Sequence, residues 1–342
     1  MNPREMKRPP LPRSWYRPTL IGFLSYLLFS FAWLPVFGFL SMSILGSDLP
    51  AAARLALLVP SIVLAGHGFH LIGWVAHEGI HLSLIKNKYW STFAGCLIGG
   101  VALFPTFGYG VTHWNHHRFT NQDSDPDTKI YPRYRTFWGR FFLGRVTANR
   151  GYYRNTVRIA FNKPLDKGYR MPFTDGWGRF FAIVTLASVA SWLALYIAIA
   201  FVNPVYFLVG VFLPYLTAIP ATGLRIYMEH NGTGAGVFRD TRSYVSPFWT
   251  VMMFGNNFHL EHHLYPTVPA YHLPKVYRLL ASDGTYEKYG SQIVGGVWEP
   301  LRYLSARYQY PESLLANLEA DPFVPDAIEP AASAELSRAE LV

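Results

Sequence analysis

The chain has 342 residues, 51% of them hydrophobic and 17% aromatic, with only 15% charged and a formal net charge of +9. Average soluble domains carry about 25% charged residues, and here the deficit is gathered into long apolar runs, which excludes an ordinary soluble fold. One cysteine, Cys96, excludes a monomer held together by disulfides.

Residues 1–18, "MNPREMKRPPLPRSWYRP", are basic and are expected to lie in the cytoplasm, because Lys and Arg accumulate on that side of membrane spans. A helix of roughly 20 apolar residues crosses a bilayer, and residues 19–45 form the first run of sufficient length. That run is too long for a cleavable signal peptide and lacks a small-residue cleavage site. The second run, 55–76, contains Pro60, His67 and His70 but no formal charge. The third and fourth, 180–202 and 205–224, are joined only by Asn203 and Pro204, which predicts a tight helical hairpin. The links "GSDLPAAAR" and "NP" hold one Arg between them, whereas the stretch from 129 to 179 is rich in Arg and Lys. The N-terminus, the middle segment and the C-terminal third are therefore expected on the cytoplasmic side, with the basic segment meeting anionic lipid rather than nucleic acid. Residues 318–342 are acidic, rich in Ala and Pro, and expected to be disordered outside a membrane domain spanning 19–317.

Eight of the twelve histidines fall in three groups: "HEGIH" (His77, His81), "HWNHH" (His113, His116, His117) and "HLEHH" (His259, His262, His263). Helical positions i, i+3 and i+4 share a face, so each group aims its rings in one direction. Neutral imidazole suits zinc, copper, iron or nickel. Eight ligands exceed one site, and two metals is the economical count. His230, beside Glu229 at the exit of the fourth run, is a candidate ninth ligand. A shared centre requires all three groups on one side of the bilayer. The ambiguous apolar segment 91–111, broken by glycines and Pro105, must therefore dip in and return or lie along the interface. The expected fold is an all-α integral membrane protein with four transmembrane helices in two hairpins, interfacial or re-entrant helices, and a cytoplasmic cap carrying the histidines.

Neutral ligands leave metal charge uncompensated, so carboxylates are expected behind them, fixing ring orientation. Glu78, Glu229 and Glu261 each neighbour a histidine, and Asp123, Asp125 and Asp127 follow the second group. The run "DSDPD" also reads as a solvated turn. His67 and His70 read as hydrogen-bonded core residues, with a substrate channel as the alternative, and His272 as a surface residue.

One HxxxH followed by two HxxHH groups, with two pairs of spans between them, resembles the integral membrane fatty acid desaturase and hydroxylase superfamily over roughly residues 74–280. "NFHLEHHLYPTVP" is similar to the third histidine box of bacterial members, and "HWNHHRFTNQDSDPD" to a second box with its acidic turn. The resemblance implies two non-haem iron ions held by His77, His81, His113, His116, His117, His259, His262 and His263, with His230 as the extra ligand. It also implies O2 as co-substrate, a lipid or acyl substrate, desaturation rather than hydroxylation, and a bacterial inner-membrane location. Front-end desaturases typically have Gln where this chain has His259, which sets it apart from them. No HPGG haem motif occurs, so electrons are expected from a separate ferredoxin or cytochrome b5-like donor with its reductase. Some acyl-CoA members place a water-holding Asn where this chain has Ile226, leaving Asn256 or Asn257 for that role.

The nearest alternative is a hydroxylase or desaturase of another lipid, such as a carotenoid, a sphingoid base or a small amphiphile. A metal transporter would need polar groups near the bilayer midplane, and a bis-histidine haem protein would not need eight histidines.

Overall fold

The computed structural model describes residues 7–165, 169–305 and 307–309. The acidic tail at 318–342 lies outside them. Among the described residues, four helices are long and apolar enough to cross a membrane: α1 (Leu20–Leu45), α2 (Ala51–Ile80), α6 (Asp175–Val202) and α7 (Pro204–His230). Between them lie α3 (Lys88–Val101), α4 (Thr106–Phe119) and α5 (Gly144–Ala160).

Local chemistry sets the boundaries. Thr19 caps α1 by accepting the Gly22 amide at 3.0 Å, and Asn87 caps α3 through the amides of Tyr89 and Trp90. Asn203 supplies the only link between α6 and α7, and its side chain accepts the Tyr206 amide at 3.0 Å. The two apolar runs thus form the hairpin expected, with a π-helical turn at Phe207–Phe212.

Helices α1 and α2 pack together, and α2 also packs against α3 and α7. Residues such as Ile21 (80% exposed), Leu28, Phe201 and Val202 leave broad apolar faces uncovered on the spans. Water would not tolerate such faces, and lipid does. Together with the spans they mark the chain as an integral membrane protein.

The ambiguous segment is two helices, not one. Helices α3 and α4 meet at an angle of 118° across residues 102–105. The chain turns back there, and α4 returns to the end of α2. Close approach makes this possible: a Cβ on Gly79 would stand 2.5 Å from the Gly95 Cα, so only glycine lets α2 and α3 touch at that level.

The C-terminal third wraps the ends of α2 and α7. It holds α8 (Pro247–Met252), α9 (His259–Leu264), α10 (Leu273–Ser282) and α11 (Thr285–Tyr289). One small parallel sheet, β1 (Arg242–Val245) on β2 (Gln292–Gly295), departs from the all-helical expectation. The turn into α9 passes through Gly255 at φ +87°, where a Cβ would lie 2.5 Å from the Ala270 carbonyl oxygen. The fully buried Leu260, Leu264, Val268 and Leu273 fasten this region to Val75 of α2.

Candidate metal centre

Four segments deliver imidazoles to one place. Helix α2 carries His77 in its last turn, and His81 follows as its C-terminal cap. Helix α4 carries His113, His116 and His117, helix α7 ends on His230, and α9 carries His259, His262 and His263. Each ring sits on the inward face because the i, i+3, i+4 spacing stacks it there.

The rings form two adjoining sets. In the first, one nitrogen each of His77, His81, His113, His117 and His262 lies within 4.8 Å of all the others. In the second, His116, His230 and His263 meet the same criterion, and so do Glu229, His230 and His259. The sets touch where the His117 and His263 rings lie 4.1 Å apart. All nine histidines are thereby gathered, although they come from residues far apart in the chain.

The donor chemistry fits cations. His113 Nε2 lies 3.0 Å from both His77 Nε2 and His117 Nε2, and His230 Nε2 lies 3.1 Å from His259 Nε2. One proton cannot serve every lone pair in such a cluster, but a metal ion can. His81 Nε2, His263 Nε2 and both ring nitrogens of His262 are buried without any hydrogen-bond partner. Unpaired buried polar atoms are costly and call for an explanation such as an ion. Burial pushes the His81 pKa down to about 3 and lowers those of His259, His262 and His263, so these imidazoles stay neutral and keep their lone pairs for metal.

The sequence matches the family described as fatty acid desaturase over residues 52–294. The chain belongs to the fatty acid desaturase family. Its histidine clusters are able to hold metal. It is 27% identical to the dihydrorhizobitoxine desaturase of Bradyrhizobium elkanii over 238 residues, which cover 63% of this chain and 65% of that protein. It is 34% identical over 76 residues to an acyl-lipid 8-desaturase of Rebecca salina, and 34% identical over 80 residues to a Delta(5) fatty acid desaturase of Caenorhabditis elegans. The chain spans just under two thirds of the first relative's length and 18% of each of the others.

Within this desaturase-family framework the expected acids fall into two classes. Asp125 Oδ1 lies 3.0 Å from His116 Nδ1, and the carboxylate is held by the amides of Asn121 and Asp127, both at 2.9 Å. Asp127 stands 3.7 Å from the same ring nitrogen, and burial raises its pKa to about 6. Glu78 Oε1 lies 3.5 Å from His77 Nδ1, while Oε2 accepts the Ser83 hydroxyl and the Ala270 amide. Glu229 Oε2 comes within 3.4 Å of His259 Nε2, and Oε1 accepts the Arg225 Nε–H. Glu229 thus belongs to the cluster itself, not behind it.

Four expected residues lie elsewhere. Glu261 accepts from Ser243 and Tyr286, because the flanking His259, His262 and His263 occupy the inward face of α9 and leave Glu261 on the opposite one. Asp123 is exposed in the turn after α4. Asn256 donates to the Tyr26 hydroxyl and the Met253 carbonyl, and Asn257 donates to the Tyr244 carbonyl, so neither amide nitrogen faces the histidines.

Some features were not anticipated. The Asp240 carbonyl lies 3.2 Å from His230 Nδ1 and orients that ring; a backbone contact leaves no mark in sequence. Arg225 lies over the Trp74 ring at 3.4 Å and pairs with Glu229 one turn later, a spacing visible in "RIYMEH". His67 Nε2 lies 2.9 Å from the Met252 carbonyl, and His70 Nε2 accepts from the Trp74 indole, as core histidines do. His70 also lines a cavity. His272 is half-buried against Tyr271 rather than on the open surface.

That cavity, about 80 Å³, runs between α2, α4, α5 and α7 and reaches His77, His113, His116, His230 and His259. Its walls are largely aromatic and aliphatic, including Phe69, Phe104, Tyr109 and Tyr215. Any small molecule within it lies against the imidazole clusters.

Proposed function

We propose that this chain is an O2-dependent desaturase that uses two iron ions to introduce a double bond into an aliphatic chain. The observation that carries the reading is the pair of adjoining, largely buried imidazole sets opening onto an apolar cavity. His77, His81, His113, His117 and His262 would hold one ion. His116, His230, His259 and His263 would hold the other, with Glu229 as a candidate oxygen ligand in place of the asparagine absent at Ile226. An iron pair held there would activate O2, the oxidant: overall, two hydrogens would leave adjacent methylenes, and with two external electrons and two protons O2 would become two waters.

The chain's own residues hold and exclude. Asp125 fixes the His116 ring, the Asp240 carbonyl fixes that of His230, and Glu78 stands behind His77. The cavity walls bind methylenes by burial, at about 0.8 kcal/mol per CH2, and keep bulk water from the reacting carbons. The two electrons would come from a separate ferredoxin or cytochrome b5-like donor with its reductase. Residues 1–18, the histidine clusters and the C-terminal third would face the cytoplasm of a bacterial inner membrane, with residues 19–317 acting as one catalytic unit.

Two substrates fit this chemistry. Membership of the fatty acid desaturase family favours an acyl chain carried as a lipid or thioester. Of the three relatives named above, the one matched over most of this chain is named for dihydrorhizobitoxine, which favours a substrate other than an acyl lipid. The test is iron quantitation on purified protein combined with lipid and product profiling of an expressing strain. Two irons per chain with a new unsaturated product supports the reading, and protein without iron ends it.

A further inference from the structure

The cavity wall contains a cation that the desaturation chemistry does not use. Arg145 opens α5 and is 8% exposed, with its guanidinium lining the same space as His113, His116 and Glu229. Asn149 and Tyr152, one and two turns further along the same face of α5, line it too. The guanidinium carbon lies 5.2 Å from the Phe104 ring centroid and 5.7 Å from that of Tyr152. These contacts lay the guanidinium among aromatic rings, and Asp127 is an acid whose charge it feels without a direct ion pair.

Among the described residues, no carboxylate comes within ion-pairing distance of Arg145. The two acids that share the cavity are engaged elsewhere: Glu229 is paired with Arg225, and Asp127 stands 3.7 Å from His116 Nδ1. The Tyr131 hydroxyl also faces Arg145, but a neutral phenol supplies no formal counter-charge. A buried guanidinium with no directly paired carboxylate is poorly compensated, and its planar fork matches a carboxylate at two points.

We infer that Arg145 binds the carboxylate of the substrate inside the cavity, so that the molecule oxidised is a free, carboxylate-bearing amphiphile and not an ester or thioester whose head group stays outside. This inference rests on the proposed oxidation at the histidine clusters and decides between its two substrates. The distance suits it. Tyr152 packs 5.1 Å from Tyr109, and Tyr109 stacks 4.8 Å from His113, so only the width of one ring separates the rings that hold Arg145 from the nearest imidazole. A carboxylate anchored on Arg145 therefore sets which carbon, counted from the acid group, lies against the metal site.

The experiment uses the iron-loaded protein in lipid nanodiscs and compares binding of hexanoate, methyl hexanoate and inorganic phosphate by calorimetry, for wild type, Arg145→Gln and Arg145→Lys. Wild type should bind hexanoate at least tenfold more tightly than its methyl ester, about 1.4 kcal/mol. Arg145→Gln should abolish that preference at unchanged iron content, and Arg145→Lys should keep part of it. Equal binding of acid and ester by wild type, a preference that survives Arg145→Gln, or phosphate competing as well as hexanoate would each overturn the assignment. Should Arg145→Gln fail to fold, the wild-type comparison and the lysine variant still decide. Iron content and oxygen-dependent product formation are measured separately, so an acid preference in a protein lacking both would remove the desaturase reading and leave the carboxylate site standing.

Discussion

At the scale of single residues, some ring nitrogens of the clusters face the interior of the cage, and those of His116 and His230 are held from behind. His262 has both of its ring nitrogens buried and unpartnered. Replacing it with alanine should drop bound iron well below two per chain and abolish oxidation while the protein still inserts into membranes, as metal analysis of purified protein would read. Asp125→Asn should act more gently, costing about 10–100-fold in metal affinity because the His116 ring loses its anionic partner. A chelator competition series measures that difference. Acid should strip the metal, since a protonated imidazole cannot ligate. The sign follows from burial: the folded chain keeps His81 neutral down to about pH 3, whereas unfolded imidazoles protonate near 6.5. Stability is thus complete above pH 6.5 and declines as the pH falls towards 3, a trend visible in melting temperature against pH.

The histidines were legible in the sequence because helical spacing alone brings each group to one face. Glu229 was legible as a neighbour but not as a member, since reach towards His259 depends on how α7 and α9 dock. Arg145 was hidden for a different reason. It sits in a stretch of Arg and Lys that the cytoplasmic charge bias already accounts for, and nothing in the sequence marks which of those cations turns inward.

At the scale of elements, the decisive joint is the reversal between α3 and α4. The requirement that two histidine groups meet excluded a clean crossing of residues 91–111, and glycine with Pro105 indicated where a straight helix would fail. The 118° angle itself and the contact of Gly79 with Gly95 were not readable, because close approach is a property of two helices and not of either string. Gly79→Val should force α2 and α3 apart, costing about 1–3 kcal/mol by overpacking and lowering metal content together with thermal stability. A variant with an unaltered melting curve would argue against that joint. The short β1–β2 pair escaped notice because four-residue strands carry too little period-2 signal.

At the scale of the whole molecule, apolar length predicted four spans, and the four long helices agree, while the charge pattern predicted a sided arrangement. Sidedness has a direct test. Asp48, exposed between α1 and α2, and Asp123, exposed after α4, can each be changed to cysteine, with the native Cys96 buried and silent. An impermeant thiol reagent added to intact cells should label the Asp48→Cys protein and spare Asp123→Cys. Labelling of both from outside would place the histidine clusters on the wrong side.

The order in which the ligands emerge has a bearing on biogenesis. His77 and His81 are translated first, yet neither set can close until α9 has left the ribosome, because His262 completes one and His259 and His263 the other. Metal insertion must then be a late event, after the spans are already embedded. A nascent chain halted before residue 259 would sit in the bilayer as an open, iron-free vessel.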